Sequence, residues 1–574
     1  MLSIAALLLF LGLAVLGWGA LLLAVAARLF GCELQRGATL GDLGACGFLA
    51  LAMLGAAVNF LLPLDGIVAT LAVAIGFAGL ALCRRRVMAA WNGFSDPRVT
   101  LAVLVLAALL AAWTISPGDD TNYDDGLYHL QTMLTSHDSR VVFGLSQLHD
   151  RLAFDSTWLI ALPLLALPRL GLSGALIGGA ILAVFVVAGF WQRTAAAMQE
   201  GGSVPTAVYG MAALAVLPTI FGKLGLDNAG TDLAPVLLTL AIGQIGLALI
   251  DSPVGGHRAE DETRLFLIIV CAVFVATLKL SHAPVALAPL ALLPLAIGRR
   301  QRPGAAVFAG AAVAFALVAV WCLRNLAQSG CLVYPIPFTC IAVLPWTIRH
   351  ADAENSINVM RGWSRVWNPH DLDAVLRGWD WVGGWFLRAA NSDEIVPPLI
   401  LVALALVFLA FRLLRRDRFR TAYETMPPGR RRFVWALVAV MASGMPFVFF
   451  TAPDLRYALG TMTGFALLLM ALSAPVAVTM PRTYRALGAI LGACAVFGLQ
   501  LAPVVPFDRA LLIRSDWPRI PAPTLVQRAA ADGTMIYQPV GTDQCWAAPR
   551  PCTPNLFADL EFKRLGLWRM IVHR

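Results

Sequence analysis

The chain has 574 residues, of which 59% are hydrophobic and only 13% are charged, and its net charge of +9 comes almost wholly from arginine. Apolar runs of about 18 or more residues, the length that crosses a bilayer, recur along it. This composition excludes an ordinary soluble domain, and no basic stretch is interleaved with aromatic residues as nucleic-acid binding requires. We predict an all-α polytopic membrane protein that does not bind nucleic acid.

The apolar runs predict about thirteen transmembrane helices. The first run lacks a basic N-terminal region and is too long for a signal peptide, so we expect a membrane helix there. The run 156–170 is broken by two prolines and an arginine, which favours a re-entrant or interfacial helix. The predicted spans lie at 4–28, 43–62, 66–83, 99–115, 171–191, 204–221, 232–250, 265–280, 283–298, 305–323, 396–413, 433–450 and 457–503, the last divided near Pro481.

Arginine clusters orient these spans. When the spans alternate, the clusters all fall on one side, which the positive-inside rule makes the cytoplasmic side of a bacterial inner membrane. The clusters are Arg84–Arg86, Arg299–Arg302, Arg412–Arg420, Arg430–Arg432 and Arg482–Arg485. The periplasmic face then carries the loops 116–155 and 324–395 of a membrane domain at 1–503, together with a small C-terminal segment at 504–574.

The predicted periplasmic face also carries two pairs of cysteines, Cys331 with Cys340 and Cys545 with Cys552. Disulfides persist in that compartment, so both pairs are candidates for a bridge. The ten cysteines show no CxxC spacing, and we predict no metal centre built on them. The six tryptophans of the loop 324–395 suit either an interfacial aromatic belt or stacking on sugar faces.

The loop 116–155 begins with an acidic stretch, DDTNYDD at 119–125, which holds four carboxylates in seven residues. Apolar residues at positions 127, 130, 133 and 134 follow at helical spacing. They predict an amphipathic helix over 123–136 that lies on the membrane surface.

Capping of this helix is one interpretation of the acids. Asn122 and Asp125 fit a capping box, and acids in a first turn suit the helix dipole. Capping leaves Asp119 and Asp120 unexplained. The functional interpretation is that one carboxylate is a general base, which needs only hydrogen-bond reach of an acceptor hydroxyl.

Six motifs carry a family resemblance. They are YDDGLYHLQ at 123–131, GLSQLHDRLAFDSTW at 144–158, KLSHAPV at 279–285, RNLAQSGCLVYP at 324–335, FFTAPDLRY at 449–457 and DQCWAAPRPCTP at 543–554. Together they resemble a bacterial family of conserved multispanning membrane proteins. The acidic motif beside the membrane, followed by a surface helix, is similar to the GT-C glycosyltransferases, which take sugars from lipid-linked donors. The resemblance implies Asp124 as the constant acid, whereas Asp125 occupies a freer position and Asp155 stands where the family pattern has Asn.

The resemblance implies an enzyme that moves a sugar from a polyprenyl-phosphate donor to a glycan or lipid acceptor of the cell envelope, working among membrane lipids. Asp124 is the expected base, Asp119 and Asp120 would orient the acceptor or bind a divalent cation, and no other cofactor is expected. A cationic side chain would neutralise the leaving phosphate. The candidates are Asp120, Asp124 and His129 for catalysis, and Asp119, Asp125, Tyr128, His149, Arg151, Lys279, His282, Arg324, Tyr334, Asp454 and Arg456 for substrate binding.

Structural alternatives stay open for several of these residues. His149 and Arg151 could form salt bridges within their loop, and Asp454 could pair locally with Arg456. Lys279 could snorkel to the interface, although an ionisable group in an apolar run is usually functional. Asp232, which is not among the candidates, is expected to cap the helix that follows it.

Two other functions fit parts of the pattern. A transporter or flippase of lipid-linked saccharides would place ionisable groups near the membrane midplane, often in repeated halves, whereas these charges gather at one surface and the halves do not match. An O-antigen-type polymerase or ligase would share the outer loops and the lipid-linked substrates, but its signature is outer-loop arginine and histidine without the early acidic helix.

Overall fold

The computed structural model describes residues 2–34, 36–93, 96–115, 122–199, 203–251, 258–292, 304–391, 396–414, 428–473, 519–555, 557 and 559–573. Asp119, Asp120 and the predicted span that follows Pro481 lie outside these residues.

Most of the described chain is helical. In chain order the α-helices are α1 (Leu2–Phe30), α2 (Leu40–Val58), α3 (Gly66–Leu82), α4 (Arg84–Asn92), α5 (Pro97–Ile115), α6 (Leu130–Asp138), α7 (Leu145–Leu148), α8 (Thr157–Ala161), α9 (Leu172–Leu176), α10 (Gly178–Ala197), α11 (Val204–Leu224), α12 (Leu233–Asp251), α13 (Arg258–Leu278), α14 (Ala305–Ser329), α15 (His350–Arg365), α16 (Leu372–Arg377), α17 (Trp381–Ala390), α18 (Val396–Leu414), α19 (Pro428–Thr451) and α20 (Leu459–Leu472). A π-helical turn spans Asp125–His129, and 3₁₀ segments span Asp150–Ala153, Leu162–Leu165, Leu280–Leu292, Pro337–Thr339 and Leu455–Ala458.

Nine helices within the described ranges are long and apolar enough to cross a membrane, or ten if α3 and α4, which are bent by 72° at their junction, form one span. Such lengths match the thickness of the hydrocarbon core, within which a helix satisfies all its own backbone hydrogen bonds. The chain is therefore a multi-pass helical membrane protein, as its composition predicts.

Local sequence explains how the first helices begin and pack. Thr39 and Asp42 form a capping box at the start of α2, in which the Asp42 carboxylate accepts the Thr39 N–H at 2.7 Å. A Cβ atom on Gly17 of α1 would lie 1.7 Å from the carbonyl oxygen of Gly76 in α3. Glycine at both positions lets the two backbones touch, as small residues do between membrane helices.

Two predicted elements are broken where prolines interrupt them. The run 156–170 forms the short helix α8 followed by a 3₁₀ turn at Leu162–Leu165, and both are buried in the bundle. The described part of the run 283–298 lies in a 3₁₀ segment, Leu280–Leu292, which contains Pro284 and Pro289. Each proline lacks an amide hydrogen and so removes one backbone hydrogen bond from a regular α-helix.

The C-terminal unit, residues 519–573, consists of two antiparallel hairpins that the sequence analysis did not predict. Strand β1 (Leu525–Ala529) pairs with β2 (Met535–Pro539), and β3 (Leu560–Leu565) pairs with β4 (Trp568–His573). The Cys545–Cys552 disulfide lies between the hairpins, and the second predicted pair, Cys331–Cys340, is also bridged.

The C-terminal unit packs against the loop 122–155 and shares a hydrophobic core with it. Leu127 and Leu148 of the loop are buried against Ile536 and Ile571 of the hairpins. Phe143 extends this contact, because its N–H donates to the Arg569 carbonyl at 2.9 Å. The helix predicted over 123–136 is therefore covered by the C-terminal unit on one side and by the helical bundle on the other. Its place at the membrane surface stays a prediction.

Candidate active site

The π-helical turn at Asp125–His129 fixes the start of the acidic helix. The fully buried Asp125 carboxylate lies 2.7 Å from Nδ1 of His129 through one oxygen and accepts the Ala229 N–H at 2.7 Å through the other. Asp125 therefore ties this helix to the connection between α11 and α12 and is not used in the predicted capping box. Nε2 of His129 is buried and has no hydrogen-bond partner among the described residues.

Asp124 faces away from this buried pair and meets a cation that is distant in sequence. Its carboxylate lies 3.4 Å from Nη2 of Arg456, and its side chain is 14% exposed. The Asn122 side chain accepts the Asp124 N–H at 3.0 Å, which fixes the backbone beside the carboxylate. Arg456 also forms an ion pair with Asp454 at 3.1 Å, so the predicted local pair exists together with the contact to Asp124.

A second ion pair lies beside the first. Nζ of Lys279 contacts the carboxylate of Asp232, and both side chains are less than one-fifth exposed. The ring of Tyr457 lies between the two cations, 4.5 Å from Nζ of Lys279 and 5.1 Å from the guanidinium carbon of Arg456. Burial favours a higher pKa for Asp232, but Lys279 and Arg456 lower that pKa to about 2. Asp232 is therefore ionised at neutral pH.

Tyr128 and Arg151 border this pair of ion pairs. Burial, and then the charge of Asp124, raise the pKa of Tyr128, so its hydroxyl keeps its proton. The Arg151 side chain makes no hydrogen bond or ion pair with any described residue, and its charge acts on Tyr123, Tyr128 and His149. Burial lowers the pKa of His149, whose Nε2 lies 3.6 Å from Asp150. Arg151 is thus a cation beside the cluster without a formal counter-charge in the described chain.

The C-terminal unit forms one wall of the cluster. The Tyr123 hydroxyl donates to the carboxylate of Asp543, and the Gln544 side chain donates to the Tyr123 carbonyl at 3.1 Å. The Trp546 N–H donates to the Gly126 carbonyl at 2.9 Å, one turn into the acidic helix. Burial and the bond to Asp543 raise the pKa of Tyr123 to about 12. Residues more than four hundred positions apart in the sequence therefore meet in one polar cluster.

Comparison with known proteins identifies the family of this chain. A family described as a domain of unknown function, DUF8201, matches residues 1–463. The chain belongs to this family. No curated protein and no solved structure matches it. In this DUF8201 protein the matched residues include Asp124, Lys279 and Arg456. Asp543 and the rest of the C-terminal unit lie beyond the match.

Other predicted site residues of this DUF8201 protein lie in separate networks. Nε of Arg324 lies 3.1 Å from Asp155, and its Nη1 donates to Asn59 at 2.9 Å, with all three side chains buried. Burial raises the pKa of Asp155, and Arg324 offsets part of that rise. The Tyr334 hydroxyl lies 3.2 Å from Oγ of Ser356. The geometry does not bring Arg324 or Tyr334 to Asp124, because both are enclosed in networks of their own.

His282 lies at the edge of the cluster. It is fully buried, and its Nδ1 lies 3.2 Å from Oγ of Ser281. Burial lowers the pKa of His282 to about 4, so its imidazole is neutral at pH 7. Across the described ranges, no group of three His, Cys, Asp or Glu side chains is arranged to hold a metal ion. The acids predicted to bind a divalent cation, Asp119 and Asp120, lie outside the described residues.

Three residues of the cluster escaped the sequence analysis: Asp232, Tyr457 and Asp543. Asp232 was assigned to helix capping. The signal that could have identified it is Lys279, because a lysine within an apolar run usually needs a buried acid as its partner. Tyr457 and Asp543 each stand at one end of a quoted motif, FFTAPDLRY and DQCWAAPRPCTP. Nothing in their spacing indicates which other motif they face.

Proposed function

We propose that this protein is a membrane glycosyltransferase that transfers a sugar from a polyprenyl-phosphate donor to a glycan or lipid acceptor of the cell envelope. In this proposal it has a GT-C-like fold with about thirteen spans and lies in the bacterial inner membrane, with its site on the periplasmic face. The observation that carries the proposal is the contact between Asp124 and Arg456, which are 332 residues apart, in a partly buried polar cluster that Arg151 borders.

Asp124 is the proposed general base. Its side chain is partly exposed, so an acceptor hydroxyl can reach it, and Arg456 lies beside it. The base removes the hydroxyl proton as the acceptor oxygen bonds to the anomeric carbon. The bond from that carbon to the phosphate oxygen breaks at the same time, and the polyprenyl phosphate leaves with the bonding electrons. The sugar is transferred with inversion.

Arg151 is the proposed partner of the leaving phosphate. Lys279 and Arg456 are already matched by Asp232 and by Asp124 with Asp454, whereas Arg151 has no such partner in the described chain. A guanidinium presents paired N–H donors that fit phosphate oxygens, and it stabilises charge that develops in the transition state. The phosphate would thus meet a guanidinium that no described carboxylate already pairs with.

Asp125 and His129 act as positioning residues in this proposal. Both are buried, and their mutual contact together with the Ala229 N–H holds the turn from which Asp124 projects. His129, which the sequence analysis placed among the catalytic residues, has no exposed surface from which to reach a substrate. Asp119 and Asp120 keep the role of orienting the acceptor.

A transporter of lipid-linked saccharides is the second candidate, and one observation favours it. Helix α13 ends at Leu278, and the chain continues through Lys279 into the 3₁₀ segment Leu280–Leu292. Transporters bind substrates at such broken helices, often beside paired ionisable groups such as Lys279 and Asp232. Transport needs two compartments, whereas transfer does not.

The test uses purified full-length protein in detergent micelles, where transport cannot occur. Synthetic farnesyl-phosphate monosaccharides serve as donors, an envelope extract from a deletion strain serves as acceptor, and mass spectrometry follows released farnesyl phosphate and glycosylated product. Asp124→Asn keeps the side-chain shape but removes the base, so we expect transfer to fall by about 100- to 10,000-fold.

The matched control is Asp559→Asn, a charge-neutralising change at an exposed carboxylate of the C-terminal unit, which pairs with His573. It should transfer sugar as the unaltered protein does. Full activity of Asp124→Asn would remove the base assignment. If the protein binds these donors but transfers sugar from none of them, the result would favour transport.

A further inference from the structure

Three arginines gather on the helices that follow α14, away from the Asp124 cluster. We propose that Arg361, Arg365 and Arg388 form a binding site for the phosphate group of a membrane amphiphile. Arg361 and Arg365 stand one turn apart on α15, and Arg388 lies on α17. This proposal does not depend on the glycosyltransferase activity.

Backbone carbonyls fix all three guanidinium groups. Nε of Arg361 donates to the Thr451 carbonyl at 3.2 Å, at the end of α19. Nη1 of Arg365 donates to the carbonyls of Val375 and Leu376, each at 3.0 Å, at the end of α16.

Arg388 closes the group from the other side. Its Nη2 donates to the Ser364 carbonyl at 3.3 Å and contacts the carbonyl of Arg365, at the end of α15. The three side chains are therefore held in place before any ligand binds, which lowers the entropy cost of binding.

The carbonyls do not balance the positive charge. A helix C-terminus contributes only about half a negative charge, so three such ends offset about half of three guanidinium groups. None of the three arginines forms an ion pair with a carboxylate of the described residues. Burial, and then the like charge of Arg361, lower the pKa of Arg365. The charged side chain that acts on Arg365 is therefore repulsive. Nε of Arg365 is also buried without a partner in the described chain. An anion at the exposed side of the three guanidinium groups would offset the remaining charge.

Aromatic and aliphatic side chains surround the arginines and identify the class of anion. The Arg365 guanidinium lies over the Trp381 ring, 4.9 Å from its centroid. Phe386 and Leu387, which directly precede Arg388 in α17, are 59% and 68% exposed. Phe450, near the end of α19, is 62% exposed. A phosphate with an attached hydrocarbon chain would place its charge on the arginines and its chain on this apolar surface.

The position of the site in the fold supports a membrane ligand. Thr451 is the last residue of α19, one of the helices long and apolar enough to cross a membrane. Tryptophan and arginine at such an end are typical of the lipid headgroup level. Trp385, from the same helix as Arg388, donates to the Pro453 carbonyl, beside the loop that carries Arg456. The amphiphile is either a phospholipid headgroup or a polyprenyl phosphate, since both present the same chemistry.

Native mass spectrometry of the full-length protein, released from micelles, tests the site. The probes are dioleoylphosphatidylglycerol, farnesyl phosphate, farnesol and inorganic phosphate. In Arg361→Gln we expect affinity for a phosphorylated amphiphile to fall by about tenfold or more, the loss expected for one hydrogen bond to a charged group. The affinity of Arg365→Gln for the amphiphile should fall further. If Arg365→Gln does not fold, Arg361→Gln alone is the test.

The matched control is Arg377→Gln, an exposed arginine on the neighbouring helix α16. It should bind both amphiphiles as the unaltered protein does. Tighter binding of phosphatidylglycerol identifies a phospholipid site, and tighter binding of farnesyl phosphate identifies a polyprenyl-phosphate site. Three results would each overturn the proposal. Arg361→Gln could bind the amphiphiles as tightly as the unaltered protein does, or Arg377→Gln could lose as much affinity as Arg361→Gln. Farnesol or inorganic phosphate could also bind as tightly as the amphiphiles.

Discussion

Replacement of Lys279 by methionine tests the electrostatics of the candidate site. Methionine has a similar length and no charge, so the packing against Tyr457 is largely kept while the partner of Asp232 is lost. The two side chains of the ion pair are 16% and 13% exposed, and water therefore replaces the lost cation only in part.

The size of the effect follows from the protonation of Asp232. Its pKa is lowered from 3.8 to about 2, mainly because Lys279 and Arg456 outweigh burial. A shift of that size stabilises the folded state by about 2 kcal/mol at neutral pH. Because the folded-state pKa is the lower one, this stabilisation is present above pH 4 and is lost as the pH falls towards 2. Without Lys279, burial becomes the dominant influence, and we expect a loss of about 2 to 4 kcal/mol at pH 7.

Between pH 7 and pH 5 the stability of the variant should depend on the protonation of Asp232, whereas that of the unaltered protein should not. Once burial dominates, the pKa of Asp232 rises in the folded state, so the folded state binds a proton more tightly than the unfolded chain. Stability is then gained as the pH falls from 7 through the raised pKa, whereas the Asp232 contribution in the unaltered protein stays constant from pH 7 to 5.

The assay is thermal unfolding in detergent at pH 7 and pH 5, followed by size-exclusion chromatography. Lys279→Met should melt at a lower temperature at pH 7 and regain part of the loss at pH 5, and adding Asp232→Asn should restore most of it. Lys223→Met, at an exposed lysine that ends α11, is the matched control and should melt like the unaltered protein. Equal melting of Lys279→Met and Lys223→Met at pH 7, or no recovery in the double variant, would refute this account of the ion pair.

Two further predictions concern stability. Arg324→Leu leaves Asp155 buried without a cation, at a cost of about 3–5 kcal/mol, and should lower the melting temperature unless Asp155→Leu is added. Gly126→Ala places a Cβ atom 2.6 Å from a ring carbon of Trp546, so the C-terminal unit should loosen by about 1–3 kcal/mol and exchange its amide hydrogens faster. Gly383→Ala, whose Cβ would have no neighbour within 4 Å, should leave that exchange unchanged, and equal exchange in both variants would argue against the close contact.

Apolar run length determined the architecture without help from tertiary structure. Long uninterrupted runs must cross a membrane as helices, because only a helix satisfies its backbone within a lipid environment. The prolines at 284 and 289 were visible in the sequence, yet the apolar composition of the run predicted a transmembrane α-helix where the described residues, up to Leu292, form a 3₁₀ segment. Breaks of this kind depend on which neighbouring groups accept the freed hydrogen bonds.

Long-range packing decided the environment of the acidic helix. The apolar spacing over 123–136 marked one buried face correctly, but the same pattern fits a helix on a membrane surface. The opposite face is covered by Trp546 and the hairpins, which are four hundred residues away and whose strands are too short to stand out in the sequence.

The sequence by itself also singled out Lys279, because an ionisable group in an apolar run is usually functional. Asp124 was indicated by the acidic stretch and the family resemblance, and Arg456 by a short charged motif between two apolar runs. Only the tertiary structure decided the partners: Arg456 meets Asp124, and Lys279 meets Asp232. The physical reason is that composition reports the cost of burying each charge, whereas the balance of charges depends on distances of a few ångströms between segments that the chain order leaves far apart.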